Sequence, residues 1–121
     1  MPGFEVIGQE ERLEINEVFD KGGILFRHGF DDFRNGCFKV KEFESNFSKF
    51  LKIKNSLAVT SGTAALRIAL AALGIGSGDE VITQAFTFVA TVEAIVESGA
   101  TPKCANIDKT LNIDPQKIEE L

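Results

Sequence analysis

Apolar and charged residues alternate in two styles along the chain, with the change near Ile53. In the first part, charges interleave with phenylalanines. Over Ile7–Asp20, Leu13, Ile15, Val18 and Phe19 fall among Glu10, Glu11, Arg12, Glu14 and Glu17, a pattern that predicts an amphipathic helix. Its first turns are acidic, where the helix dipole favours negative charge, and Lys21-Gly22-Gly23 supplies a cation and a stop. Lys39–Leu51 predicts a second helix, with Val40, Phe43, Phe47 and Phe50 on one stripe, expected to dock onto a core or a partner subunit. Gly23–Gly36 between them (GILFRHGFDDFRNG) has no clear period. Its length and irregularity suit a functional or interface loop, and its aromatic residues argue against free exposure.

From Ser56 onward the pattern is that of an α/β protein. Ser56–Thr60 (SLAVT) is a short apolar run suited to a buried strand, and Thr63–Leu73 (TAALRIALAAL) is a helix interrupted in its apolar character only by Arg67. Gly74–Asp79 turns the chain. Glu80–Gln84 is a second strand, Thr87–Ser98 a second helix closed by Gly99, and Pro102–Ile107 a third strand. Asp114-Pro115 has the form of an N-cap with proline at the first helical position, announcing a last short helix. The order βαβαβ predicts three parallel strands joined by right-handed crossovers. Parallel sheets are normally covered on both faces and continue to further strands, so this pattern reads as the opening of a larger domain. Residues 1–54 form an N-terminal helical segment on this reading, and residues 55–121 the incomplete first part of the α/β domain.

Composition narrows the function more than it changes the fold. With 121 residues, 44% hydrophobic and 26% charged, the chain fits one soluble globular domain. A formal net charge of -5 disfavours nonspecific attraction to nucleic acid or to an anionic membrane. Cys37 and Cys104 stand far apart without metal-ligand spacing, so both are expected to be reduced thiols and no metal site is expected. Met1–Glu10 lacks the basic and apolar regions of a secretory signal. The most apolar window, Ala64–Leu73, is about half of the roughly 20 residues that cross a bilayer. A soluble cytoplasmic protein without membrane or nucleic-acid partners is the expectation.

The sharpest chemical signal is Thr60-Ser61-Gly62-Thr63-Ala64-Ala65, between a predicted strand and a predicted helix. Gly62 permits a close backbone approach, Ser61 and Thr63 add hydroxyls, and the unpaired N–H groups of a helix N-terminus favour a phosphate. The plainer alternative is that Ser61 or Thr63 merely caps the helix. Walker A is excluded, since GK[ST] is absent, and Gly74-Ile75-Gly76 follows a helix, the wrong context for a dinucleotide fingerprint. Downstream, Gln84-Ala85-Phe86-Thr87-Phe88-Val89-Ala90-Thr91 puts aromatics at the carboxyl end of a strand, where ligands of doubly wound sheets bind. Phe86 and Phe88 suit either stacking on a flat heteroaromatic cofactor or burial in the core.

Taken together, LAVTSGTAALRIALAALGIGSGDEVIT, AFTFVATVEAIVESGATP and IDKTLNIDP resemble the DegT/DnrJ/EryC1/StrS family of pyridoxal 5'-phosphate (PLP)-dependent sugar aminotransferases, over about Val40–Leu121. GILFRHG is similar to the entry segment of one subgroup. The resemblance implies the large domain of a fold-type-I aminotransferase that works as a homodimer, with its active sites at the subunit interface. It implies that Gly62, Thr63 and Ala64 hold the cofactor phosphate, that Ser61 shapes the turn and that Phe88 stacks on the pyridine ring. Gln84 departs from the proline usual before the aromatic element, which is expected to alter the strand end without removing the site.

The family's pyridine-nitrogen aspartate and Schiff-base lysine lie downstream of the matching motifs. Lys103, Lys109 and Lys117 sit in the wrong motifs for the lysine and read as surface charges. No catalytic residue is therefore assigned. The leading expectation is an N-terminal fragment of an aminotransferase that passes an amino group from a donor such as glutamate to a nucleotide-linked keto sugar. On that expectation the isolated chain is inactive and prone to association. The alternatives are a PLP-dependent sugar dehydratase, and a complete noncatalytic module that binds a phosphate ligand or a partner. Arg27 beside His28 suits a contact with a nucleotide phosphate, against a purely structural role.

Overall fold

A computed structural model describes residues 3–121, which fall into two compact units divided between Ala58 and Val59.

The first unit holds a 3-10 turn at Phe4–Val6, helix α1 (Gln9–Asp20), a second 3-10 turn at Asp31–Phe33, and helix α2 (Lys39–Leu51). α1 starts later than the apolar pattern suggests, because Ile7 is extended and Gly8 is non-helical. The Glu11 carboxylate there accepts from the Gly8 N–H at 2.6 Å, and that bond holds its carboxyl below the usual range. At the other end Gly22 has φ +120, and a Cβ at this position would lie 2.3 Å from the Phe33 carbonyl oxygen, so only glycine fits. Lys39 at the start of α2 bonds Glu14 at 2.5 Å and also Glu17, tying the two helices by charge. The α2 stripe and the loop find no apolar core within these residues: Phe43, Phe47 and Phe50 of the stripe are exposed among the described residues, as are Phe26, Phe30 and Phe33 of the loop. The loop buries Arg34 instead, at 5% exposure. Its Nε donates to the Gly29 carbonyl at 2.9 Å, its guanidinium also reaches the Phe26 carbonyl, and it lies 5.4 Å from the centre of the Phe38 ring. A cation that satisfies backbone carbonyls from inside can shape a loop without a hydrophobic centre.

The second unit comprises α3 (Gly62–Ala72), β1 (Glu80–Gln84), α4 (Val89–Glu97), β2 (Thr101–Ala105) and the short α5 (Pro115–Ile118). β1 and β2 pair in parallel, from Glu80 opposite Thr101 to Gln84 opposite Ala105, with α4 as the crossover. Small side chains let these elements approach closely: the buried apolar residues are Ala90, Ala94, Ile95, Ala100 and Ala105. Gly99, at φ +87, carries the chain from α4 into β2, where an added Cβ would meet the Ser77 nitrogen at 3.3 Å. α5 begins as expected, with the Asp114 carboxylate accepting from the Gln116 N–H at 3.0 Å and Pro115 in the first turn.

The parallel α/β reading holds, but its strand count needs correction. Among the described residues, Ser56–Thr60 is not a strand and the sheet has two strands rather than three. A strand exists through its ladder, and the polar groups of Ala58 are taken by side chains: its N–H by Glu44 at 2.7 Å and its carbonyl by Arg27 at 2.7 Å. The last predicted strand is also shorter. Ile107 lies beyond β2 in an isolated antiparallel bridge with Ile113.

Candidate functional site

Ser61 is extended (φ -161, ψ 162), so its side chain folds over the start of α3, and its Oγ accepts from the Ala64 N–H at 3.1 Å. The Ala65 N–H is taken by the Ser61 carbonyl at 3.0 Å. Ser61 is thus the cap, as the plainer alternative had it. Capping satisfies only part of the turn: the N–H groups of Gly62 and Thr63 have no protein acceptor among the described residues. The first turn carries no acidic side chain, so nothing in it opposes an arriving anion. At Gly62 no heavy atom lies within 4 Å of an added Cβ, and its φ is not positive. Neither packing within the chain nor backbone strain calls for glycine there, whereas a ligand resting on the turn would. Ser61 and Gly62 are exposed, and Thr63 and Ala64 half-buried.

Phe88 occupies the equivalent position at the start of α4, which packs against α3. At 77% exposure its ring is not packed within these residues, and Phe86 is exposed as well. The loop that carries them is held by polar ties. The Gln84 amide donates to the Phe86 carbonyl, the Thr87 hydroxyl bonds that of Thr91 at 3.1 Å, and the Thr91 N–H donates to the Phe88 carbonyl at 3.0 Å. The residue that departs from proline is therefore part of what shapes the aromatic turn.

Other candidates have structural employment. Arg27 spends its guanidinium on Glu44 and on the Ala58 carbonyl, rather than standing ready for a phosphate, while His28 is exposed. Arg67, the one charge in the apolar α3, pairs with Glu97 of α4. Lys103 pairs with Glu80 at 3.0 Å and Lys117 with Glu120. Cys37 is half-buried and Cys104 exposed, both as free thiols. Among the described residues there is no cluster of three or more metal-ligating side chains, and no helix is long and apolar enough to cross a membrane. Sequence reasoning missed Glu44 and Arg34. Each looked like one more charge in a charged segment, and only tertiary contacts single them out.

A parallel pair of strands joined by a crossover helix, with α3 opening on a first turn free of acidic side chains, defines an α/β protein. The chain belongs to the DegT/DnrJ/EryC1/StrS aminotransferase family, whose sequence profile matches residues 28–121. It is 46% identical over 115 residues to the spore coat polysaccharide biosynthesis protein SpsC of Bacillus subtilis, covering 94% of this chain and 27% of SpsC. It is 42% identical over 110 residues to the GDP-perosamine synthase of Vibrio cholerae, covering 90% of this chain and 28% of that enzyme. The crystal structure of NtdA from Bacillus subtilis with bound cofactor PMP superposes with a TM-score of 0.77 at 36% identity, over 98% of this chain and 26% of NtdA. The chain thus spans little more than a quarter of the length of these relatives.

Proposed function

We propose that this chain is the N-terminal part of a PLP-dependent aminotransferase acting on a nucleotide-linked keto sugar, and that it carries the cofactor-phosphate site of that enzyme. The observation that carries the reading is the first turn of α3, where the Gly62 and Thr63 N–H groups are open, no acidic side chain competes, and space lies above Gly62. In this reading Gly62, Thr63 and Ala64 hold the phosphate, Ser61 fixes the turn by capping it, and the exposed ring of Phe88 stacks on the pyridine. The cofactor supplies an electron sink and a carrier for the amino group. The residues of this chain bind and orient it.

The Schiff-base lysine and the aspartate at the pyridine nitrogen belong, on this proposal, to a part of the enzyme outside these residues. The exposed Leu66, Ile68, Val89 and Val96 of α3 and α4 support that division, because a parallel sheet and its helices ordinarily have both faces covered. GDP-perosamine synthase among the relatives supports a sugar nucleotide as substrate. The parent enzyme is proposed to work as a cytoplasmic homodimer with an amino donor such as glutamate.

The test is a half-reaction with the intact native protein. Loaded with PLP and given glutamate, it should form 2-oxoglutarate in an amount equal to its sites, and a nucleotide-linked keto sugar should then restore turnover. Failure to aminate the loaded protein with any of the common amino acids would overturn the reading. The separate 121-residue chain is expected to show no turnover.

A further inference from the structure

The segment leading to the α3 turn is held by an ion pair and not by a β-ladder. Glu44 projects from α2 with its side chain only 15% exposed, accepts the Ala58 N–H at 2.7 Å, and also receives the Arg27 guanidinium. Arg27 donates in turn to the Ala58 carbonyl at 2.7 Å. Both backbone polar groups of one residue are therefore gripped by two side chains that also grip each other. Ser56 extends the grip, since its hydroxyl donates to the Glu44 carbonyl at 2.6 Å and takes a bond from Ser48 at 2.8 Å. The Ala58 N–H, and after it Arg27, hold the Glu44 carboxyl below its ordinary range, as expected for an acceptor that stays ionised.

Only Val59 and Thr60 separate Ala58 from Ser61. We propose that Arg27 and Glu44 are positioning residues for cofactor binding: by fixing the N–H and the carbonyl of Ala58, which lie in two successive peptide groups, they restrict, along the chain, the conformations open to the turn that begins at Ser61. If that turn holds the cofactor phosphate as proposed above, loosening the grip lets its donors wander, and binding falls without loss of any group that touches the ligand. A bidentate guanidinium meets a carboxylate and a carbonyl together. A lysine presents a point charge and cannot reproduce that geometry.

The test is titration of the intact native apoprotein with PLP, read by cofactor absorbance and by the phosphorus NMR shift of the bound phosphate. Glu44→Ala should weaken binding about tenfold or more and move the phosphorus signal, and Arg27→Lys should weaken it several-fold. Glu44→Gln keeps an acceptor for the Ala58 N–H and should recover most of the affinity. Thr63→Tyr, in the turn itself, serves as the reference. If it weakens binding while Glu44→Ala and Arg27→Lys leave both readouts unchanged, the positioning role is wrong and the phosphate site stands. If Thr63→Tyr also binds PLP normally, the phosphate site itself is wrong. Should Glu44→Ala fail to fold, Arg27→Lys against Glu44→Gln decides: equal affinities and equal phosphorus shifts overturn the proposal.

Discussion

The two units are held together by opposite means. Among the described residues of the first unit the buried side chains are polar, Arg34 and Ser48, and order comes from carbonyls and carboxylates gathered around Arg27, Arg34 and Lys39. In Val59–Leu121 the buried residues are mostly small and apolar, on α4, β2 and the turn between them. Polar ties are directional and fix individual backbone groups, while apolar packing fixes whole elements against each other. The helix of the candidate site, α3, belongs to the packed unit.

Substitutions on the two sides should therefore fail differently. The largest effect is expected for Arg34→Ala, which strips the Gly29 and Phe26 carbonyls of their shared donor. A loss of about 3 kcal/mol, seen in urea unfolding followed by circular dichroism, fits the cost of abandoned bonds to a charged group. Ala94→Leu forces bulk into a position 1% exposed and should cost about 2 kcal/mol by the same measurement. If Arg34→Ala proved the milder of the two, the contrast between the units would be wrong. Ser61→Ala removes only the α3 cap and should cost about 1 kcal/mol.

The smallest effect concerns acid. Hydrogen bonds from Lys39 and then Lys21 pull the exposed Glu17 carboxyl down from 4.5 to about 2. A depressed pKa adds stability above the unfolded value, and that stability is lost as pH falls through the folded one. The tie between α1 and α2 should weaken between about pH 4.5 and 2. Glu17→Gln should remove that part of the acid sensitivity, in a titration followed by circular dichroism, whereas Ala94→Leu, which leaves Glu17 and its lysines in place, should retain it.

The sequence made the α/β half readable because its elements follow local rules. β1 begins and ends at the expected residues, Glu80 and Gln84, and Asp114-Pro115 opens a helix as its chemistry requires. Ser56–Thr60 misled because an apolar β-favouring run says nothing of who pairs with it. Its polar groups went to Glu44 and Arg27, 14 and 31 residues away from Ala58 along the chain. The Ser61–Ala64 turn was legible for a different reason. The Ser61 hydroxyl caps the Ala64 N–H three residues on, within one helical turn, so spacing and local geometry coincide. The burial of Arg34 was illegible, since it depends on carbonyls whose orientation no pattern of residue types records.

The most direct test of the central claim compares PLP with pyridoxal, which lacks the phosphate, in the intact native protein and in Gly62→Asp, where a carboxylate is set on the open turn. The expected result is that the native protein binds PLP at least about a hundredfold more tightly than pyridoxal, and that this preference collapses towards unity in Gly62→Asp. An unchanged preference in Gly62→Asp would contradict the assignment, because the phosphate would then be held somewhere other than the first turn of α3.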